Sequence, residues 1–215
     1  MMSWWHGLSM LGSLAVTGPV GVAIAVWLLA GKSWRLTLSW CLLFGAGMAL
    51  VVLTKVAFIG WGVGIAAVEF GGFSGHAMRA AAVFPVACYL ATRHASPQWR
   101  HAAVGAGVLL ALLIGISRLP VLAHSVSEVV TGGLLGLGVA AAFIWIAKTE
   151  RHVVFGRVLA ALCIPVLLIA PHAEPIPTEQ WMTELALFLS GRDKPFTRKQ
   201  WKVQPPQSEA RAGSF

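Results

Sequence analysis

Charge is scarce in this chain. Only 11% of its 215 residues are Asp, Glu, Lys or Arg, while 57% are apolar. A soluble domain carries roughly 25% charge and about 45–50% apolar residues, so a water-facing surface cannot be built here. That excludes an ordinary soluble domain, a disordered chain and a DNA-binding domain. With a mean hydropathy of +0.76, the chain reads as an integral membrane protein of one compact domain. Tyrosine is nearly absent, one against ten tryptophans. Many of the tryptophans end apolar stretches, where they suit membrane interfaces. Cysteine is sparse too. Cys41, Cys88 and Cys163 lie inside apolar runs, an odd count with no disulfide framework and no metal spacing. No Lys or Arg precedes Lys32, and without a basic n-region no cleaved signal peptide is expected. No internal repeat is visible.

What is present is a series of six apolar runs, near 13–30, 36–58, 77–93, 102–117, 125–147 and 153–171. A bilayer core of roughly 30 Å takes about 20 such residues per helix, so the expected fold is an all-α polytopic bundle of about six transmembrane helices. Gly18-Pro19 predicts a kink in the first run. Residues 1–12, with Trp4, Trp5 and His6, read as a short interfacial segment. The net charge of +8 does not imply nucleic acid, because the basic residues fall mainly in short gaps between runs or in the last 25 residues. Lys32 and Arg35, Arg93 and Arg100, and Lys148, Arg151 and Arg157 fill alternate gaps. By the positive-inside rule those gaps are cytoplasmic and both termini are outside. Residues 1–171 form the membrane domain. Residues 172–215 form a tail that breaks at Pro-His-Ala-Glu-Pro-Ile-Pro. The tail then shows helical apolar spacing at Trp181, Leu185, Phe188 and Leu189, expected to lie on the membrane. Its basic stretch faces anionic headgroups, and the last ten residues read as disordered.

Polar groups within or bordering membrane helices are costly and default to function. One side collects an unusual set. Lys55 ends run two, Ser74-Gly75-His76 precedes run three with Arg79 one turn on, Ser117-Arg118 closes run four, and His124 and Glu128 open run five. Each has a plain role as well. Lys55 can snorkel, Ser74 can cap a helix, the histidines can be interfacial, Arg118 can mark a helix end, and Arg79 can pair with Glu69 or Glu128. His6, His94, His101, His152 and His172 need no role. Together, three cations, two histidines and a carboxylate at one level make a pattern. His124 and Glu128, four apart, share a helical face, so the carboxylate can orient the imidazole and leave its other nitrogen nucleophilic. His76, on another helix, can supply a proton. Lys55, Arg118 and Arg79 can surround an anion, with backbone N–H groups at Ser74, Gly75 and His76 as a cradle. These are the parts of phosphoryl transfer.

The blocks resemble the signatures of the type 2 phosphatidic acid phosphatase (PAP2) superfamily. Ser117-Arg118, five residues, His124, three residues and Glu128 resembles its S-R-x5-H-x3-D. Phe73-Ser74-Gly75-His76 resembles P-S-G-H, and Lys55 stands where K-x6-R-P begins. The resemblance spans about 36–147. Glu128 replaces the usual Asp and Phe73 the Pro. The Arg-Pro pair is missing, with Gly62 seven residues after Lys55. The first signature follows the second run here rather than the third.

The resemblance implies a metal-independent, cofactor-free reaction through a phosphohistidine. His124 would be the nucleophile, Glu128 its orienter and His76 the acid. Lys55, Ser74, Gly75 and Arg118 would hold the phosphate, and Arg79 would stand in for the absent arginine. It also implies a lipid phosphate substrate among membrane lipids, in a bacterial inner membrane with the site facing the periplasm or outside. Three other readings use the same residues: a lipid phosphotransferase, a non-catalytic lipid-binding or transport protein, and a zinc hydrolase on His76, His124 and a carboxylate. Three neighbouring cations disfavour the last.

Overall fold

The structure, a computed structural model, describes residues 2–120, 124–150 and 177–203. It is helical: α1 (Met2–Leu11), α2 (Leu14–Ala30), α3 (Trp34–Trp61), α4 (Gly75–Ala91), α5 (Pro97–Ser117), α6 (Val126–Thr149), α7 (Thr178–Ser190) and α8 (Arg198–Val203), with a 3-10 turn at Ala66–Val68. Strand pairing among the described residues is limited to one isolated bridge, Ile65 with Phe70. Four stretches among them are long and apolar enough to cross a membrane: Trp4–Ala30, Trp34–Trp61, Pro97–Ser117 and Val126–Thr149. The chain is a helical membrane bundle. The run at 153–171, Cys163, the basic residues Arg151 and Arg157, the Pro-rich break and the final ten residues lie outside the described residues.

The chain divides into two compact units, where composition predicts one. The first is Met1–Val51 with Phe73–Ile176, and the second is Val52–Gly72 with Pro177–Phe215. The expected boundary at 171 falls outside the described residues.

In the first unit, α4 is the axis. Its 17 residues rise about 26 Å, short of a span, and most of them are buried, Ala77 to Val86 without a gap. Hydropathy cannot separate such a helix from a lipid-facing one. Lipid tails are as apolar as a buried side chain, so close packing and hydrogen bonds must hold helices together in a bilayer. Alanines at 77, 80, 81 and 82 let α5 and α6 both press on α4, while α5 and α6 touch each other little. Gly132 and Gly136 carry the closest approach. A Cβ at Gly132 would lie 2.6 Å from the Ser74 carbonyl oxygen, and one at Gly136 2.2 Å from that of Met78. Trp40 pins α3 to α2, its indole Nε1 donating to the Gly21 carbonyl at 2.9 Å. Pro19 is accommodated inside α2.

The segment read as interfacial, residues 1–12, is helical over Met2–Leu11. Helix α1 packs on α5 and is separated from α2 by a break at Gly12-Ser13.

In the second unit, α7 seats Ala186 against Gly60 of α3. Trp181, Leu185, Phe188 and Leu189 stay exposed, as an apolar face turned to a membrane would. Beyond it, Phe196 and Trp201 close an aromatic cluster on Phe58, and the Phe196 amide donates to the Ile59 carbonyl at 2.8 Å.

Candidate active site

Two helix N-termini build the centre. Ser125 caps α6, its hydroxyl accepting from the Glu128 amide at 3.4 Å. His124 therefore lies just before the helix rather than on its face, which corrects the expected geometry. The contact survives, because Glu128 in the first turn reaches back across the cap. His124 Nδ1 is 2.8 Å from Glu128 Oε2, and both side chains are 3% exposed. A carboxylate only accepts, so Nδ1–H donates and the imidazole lone pair sits on Nε2. A carboxylate in the first turn is also favoured by the helix dipole.

Ser74 caps α4 in the same way, its hydroxyl accepting from the Ala77 amide at 3.5 Å. Its own amide donates to the Glu128 carbonyl at 3.0 Å, so this member of the expected cradle ties α4 to α6. With Gly132 against the Ser74 backbone, the two N-termini are locked side by side. Gly75 and the half-buried His76 follow on α4.

Arg79 is 5% exposed. Its Nε donates to Thr17 Oγ1 at 3.2 Å and its Nη2 to the Gly12 carbonyl at 3.3 Å. Nη1 lies over the start of α4, where a Cβ on Gly75 would come within 2.9 Å of it. Arg118 caps the C-terminus of α5, and its Nη1 donates to Ser9 Oγ at 2.6 Å. Ser117 is fully buried, donating to the Ile114 carbonyl at 2.6 Å. Gly12 touches His76 as well, since a Cβ there would lie 3.5 Å from the imidazole Cδ2. Ser74, Gly75, His76, Arg79, Arg118, His124 and Glu128 all belong to the first unit. Lys55 belongs to the second unit, where its Nζ is 2.8 Å from Glu179 Oε1.

Sequence reasoning does not reach Ser9, Gly12, Thr17 or Glu179. A signal for Ser9 and Thr17 exists. Ser9, Ser13 and Thr17 recur every four residues in an otherwise apolar stretch, a polar stripe on one helical face. Among the described residues no three His, Cys, Asp or Glu side chains group as metal ligands would.

Residues 67–152 match the PAP2 superfamily. The chain is also 36% identical, over 200 residues, to the "Uncharacterized 22.5 kDa protein in cps region" of Klebsiella pneumoniae, covering 90% of this chain and 95% of that protein. No solved structure matches. A match over the helices that carry the site, with a relative similar along nearly its whole length, places this chain in the PAP2 superfamily.

Proposed function

We propose that the protein is a membrane-embedded lipid phosphate or pyrophosphate phosphatase that works through a phosphohistidine. The observation that carries this reading is the buried His124–Glu128 pair, set beside the N-terminus of α4 with two arginines in the same unit. Nε2 of His124 attacks phosphorus, and the bond from phosphorus to the leaving oxygen breaks. His76 gives that oxygen its proton. Water then attacks the phosphohistidine and loses a proton to His76. The P–N bond breaks and inorganic phosphate leaves. Arg79 and Arg118, with the amides at the start of α4, bind the equatorial oxygens, where charge gathers in the transition state.

A lipid substrate is supported by a groove of about 200 Å³ floored by Ala77 and Ala81 and walled by α5 and α6. It starts one residue beyond His76 and Glu128. Its outer rim, Leu112, Ile116, Val130 and Leu134, is exposed, as an opening toward lipid would be. The basic gaps support a site at the outer face of a bacterial inner membrane. Phosphate release from a panel of lipid phosphates by purified protein in detergent tests the reading, with His124→Ala as blank. Activity should survive EDTA and be inhibited by vanadate, which imitates five-coordinate phosphorus. Loss in EDTA with recovery on zinc would make it a metallohydrolase, and no release from any lipid would remove the phosphatase.

A further inference from the structure

Both guanidiniums of the site are held by one strip of chain that ends long before residue 67, where the family match begins. Arg118 donates to Ser9, and Arg79 donates to Gly12 and Thr17. The local backbone explains why these acceptors are available. The Val16 and Thr17 amides both turn to the Ser13 carbonyl, which takes the Gly12 carbonyl out of the helical ladder and leaves it to receive Arg79. The Thr17 hydroxyl proton is committed to the Ser13 carbonyl at 2.7 Å, so its oxygen presents a lone pair to Nε.

The break can sit this close because residue 12 has no side chain. A Cβ there would lie 2.5 Å from Ile114 Cγ2. The Gly12 amide donates to the Ser9 carbonyl at 3.0 Å, which places the two anchors about one helical turn, roughly 5 Å, apart.

These anchors are neutral. A carboxylate partner would cancel the charge of a guanidinium and compete with a phosphate for its fork. A hydroxyl and a carbonyl fix the orientation and add no negative charge of their own. We infer that Ser9, Gly12 and Thr17 are positioning residues, a seat that aims Arg79 and Arg118 at the phosphoryl group. The seat lets Arg79 supply the guanidinium that the first signature lacks. The inference rests on the phosphatase reading above.

The test compares Thr17→Val, which keeps the shape and deletes the acceptor, with Thr17→Ser, which keeps it. Both are made in the full chain, purified in detergent. Thr17→Val should lower kcat/KM roughly 10- to 100-fold, the span of a hydrogen bond to a charged group. It should weaken vanadate inhibition in parallel while the protein remains folded at the assay temperature. Thr17→Ser should stay near wild type. In an Arg79→Lys background Thr17→Val should add little.

If Thr17→Val turns over at the wild-type rate while His124→Ala is dead, the seat is wrong and the phosphatase stands. Equal loss in Thr17→Ser and Thr17→Val makes the residue a packing element and also overturns it. If wild type hydrolyses nothing, the phosphatase reading fails and vanadate binding decides the seat. Unchanged affinity in Thr17→Val rejects it, and weakened affinity supports it. Should Thr17→Val not fold, Ser9→Ala against Ser9→Thr makes the same comparison at Arg118.

Discussion

Glu128 reaches back over the cap of its own helix to His124, Oε2 to Nδ1 at 2.8 Å, with Ser125 between them. In a capping box the carboxylate of this position returns to the cap amide. Here it is spent on an imidazole, which fixes the ring and its tautomer. Glu128→Gln keeps the size and can present an NH2 group to Nδ1, which puts the proton on the wrong nitrogen. Turnover of lipid phosphate should fall about 10²–10⁴-fold. Glu128→Asp, the residue of the family signature, should keep part of it. A wild-type kcat in Glu128→Gln removes the pair from the chemistry.

Two adjacent glycines on α6 make an internal control. A Cβ at Gly132 would meet the Ser74 carbonyl oxygen at 2.6 Å and its nitrogen at 2.9 Å, while one at Gly133 meets nothing within 4 Å. Backbone cannot step aside as a side chain can, so Gly132→Ala forces the two helix N-termini apart. Overpacking of this kind costs about 1–3 kcal/mol, and turnover should fall with it. Gly133→Ala, whose Cβ meets nothing, should not lower the melting midpoint and should cost turnover far less than Gly132→Ala. Like effects from both would mean that the Ser74–α6 contact does not organise the site.

The blocks at 73–76 and 117–128 are legible because their residues lie within a few positions of helix ends. Ser74 and Ser125 cap their helices by local geometry alone, and His124 meets Glu128 four residues away. The buried status of α4 is not legible. Apart from Arg79, Ala77–Val86 is apolar whether it faces lipid or protein, and only the α5 and α6 packing decides. The partners of the arginines are not legible either. Thr17 meets Arg79 across 62 residues and Ser9 meets Arg118 across 109, and no linear spacing carries that information. Lys55 is legible only as a cation at a helix end, since Glu179 is 124 residues away.

That pair gives a prediction of opposite sign. The Lys55 side chain is 11% exposed and that of Glu179 67%. An ion pair with so exposed a carboxylate contributes only about 0–1 kcal/mol to stability. Glu179→Gln should therefore leave the melting midpoint nearly unchanged. If Lys55 is a phosphate ligand, removing the competing carboxylate should lower KM for an anionic substrate, and Lys55→Ala should raise it. A KM that rises in Glu179→Gln would show that Lys55 is held for structure and not for substrate.

The last prediction separates charge from fork at Arg79. The guanidinium is buried and bonded through two of its nitrogens to Thr17 and Gly12, an arrangement a planar fork can make and an ammonium cannot. A purely structural arginine would be tied down in the same way, so activity and stability must be read together. Arg79→Lys keeps the positive charge near the N-terminus of α4, and Arg79→Gln removes it. If Arg79 binds the phosphoryl group, Arg79→Lys should retain the fold and lose turnover strongly, with vanadate inhibition weakened by a similar factor. Arg79→Gln should lose more, because the transition state then lacks the charge as well as the fork. Melting midpoints in detergent show whether either variant is simply unfolded. Wild-type turnover in both variants would place Arg79 outside the site, a link between α4 and the N-terminal strip and nothing more.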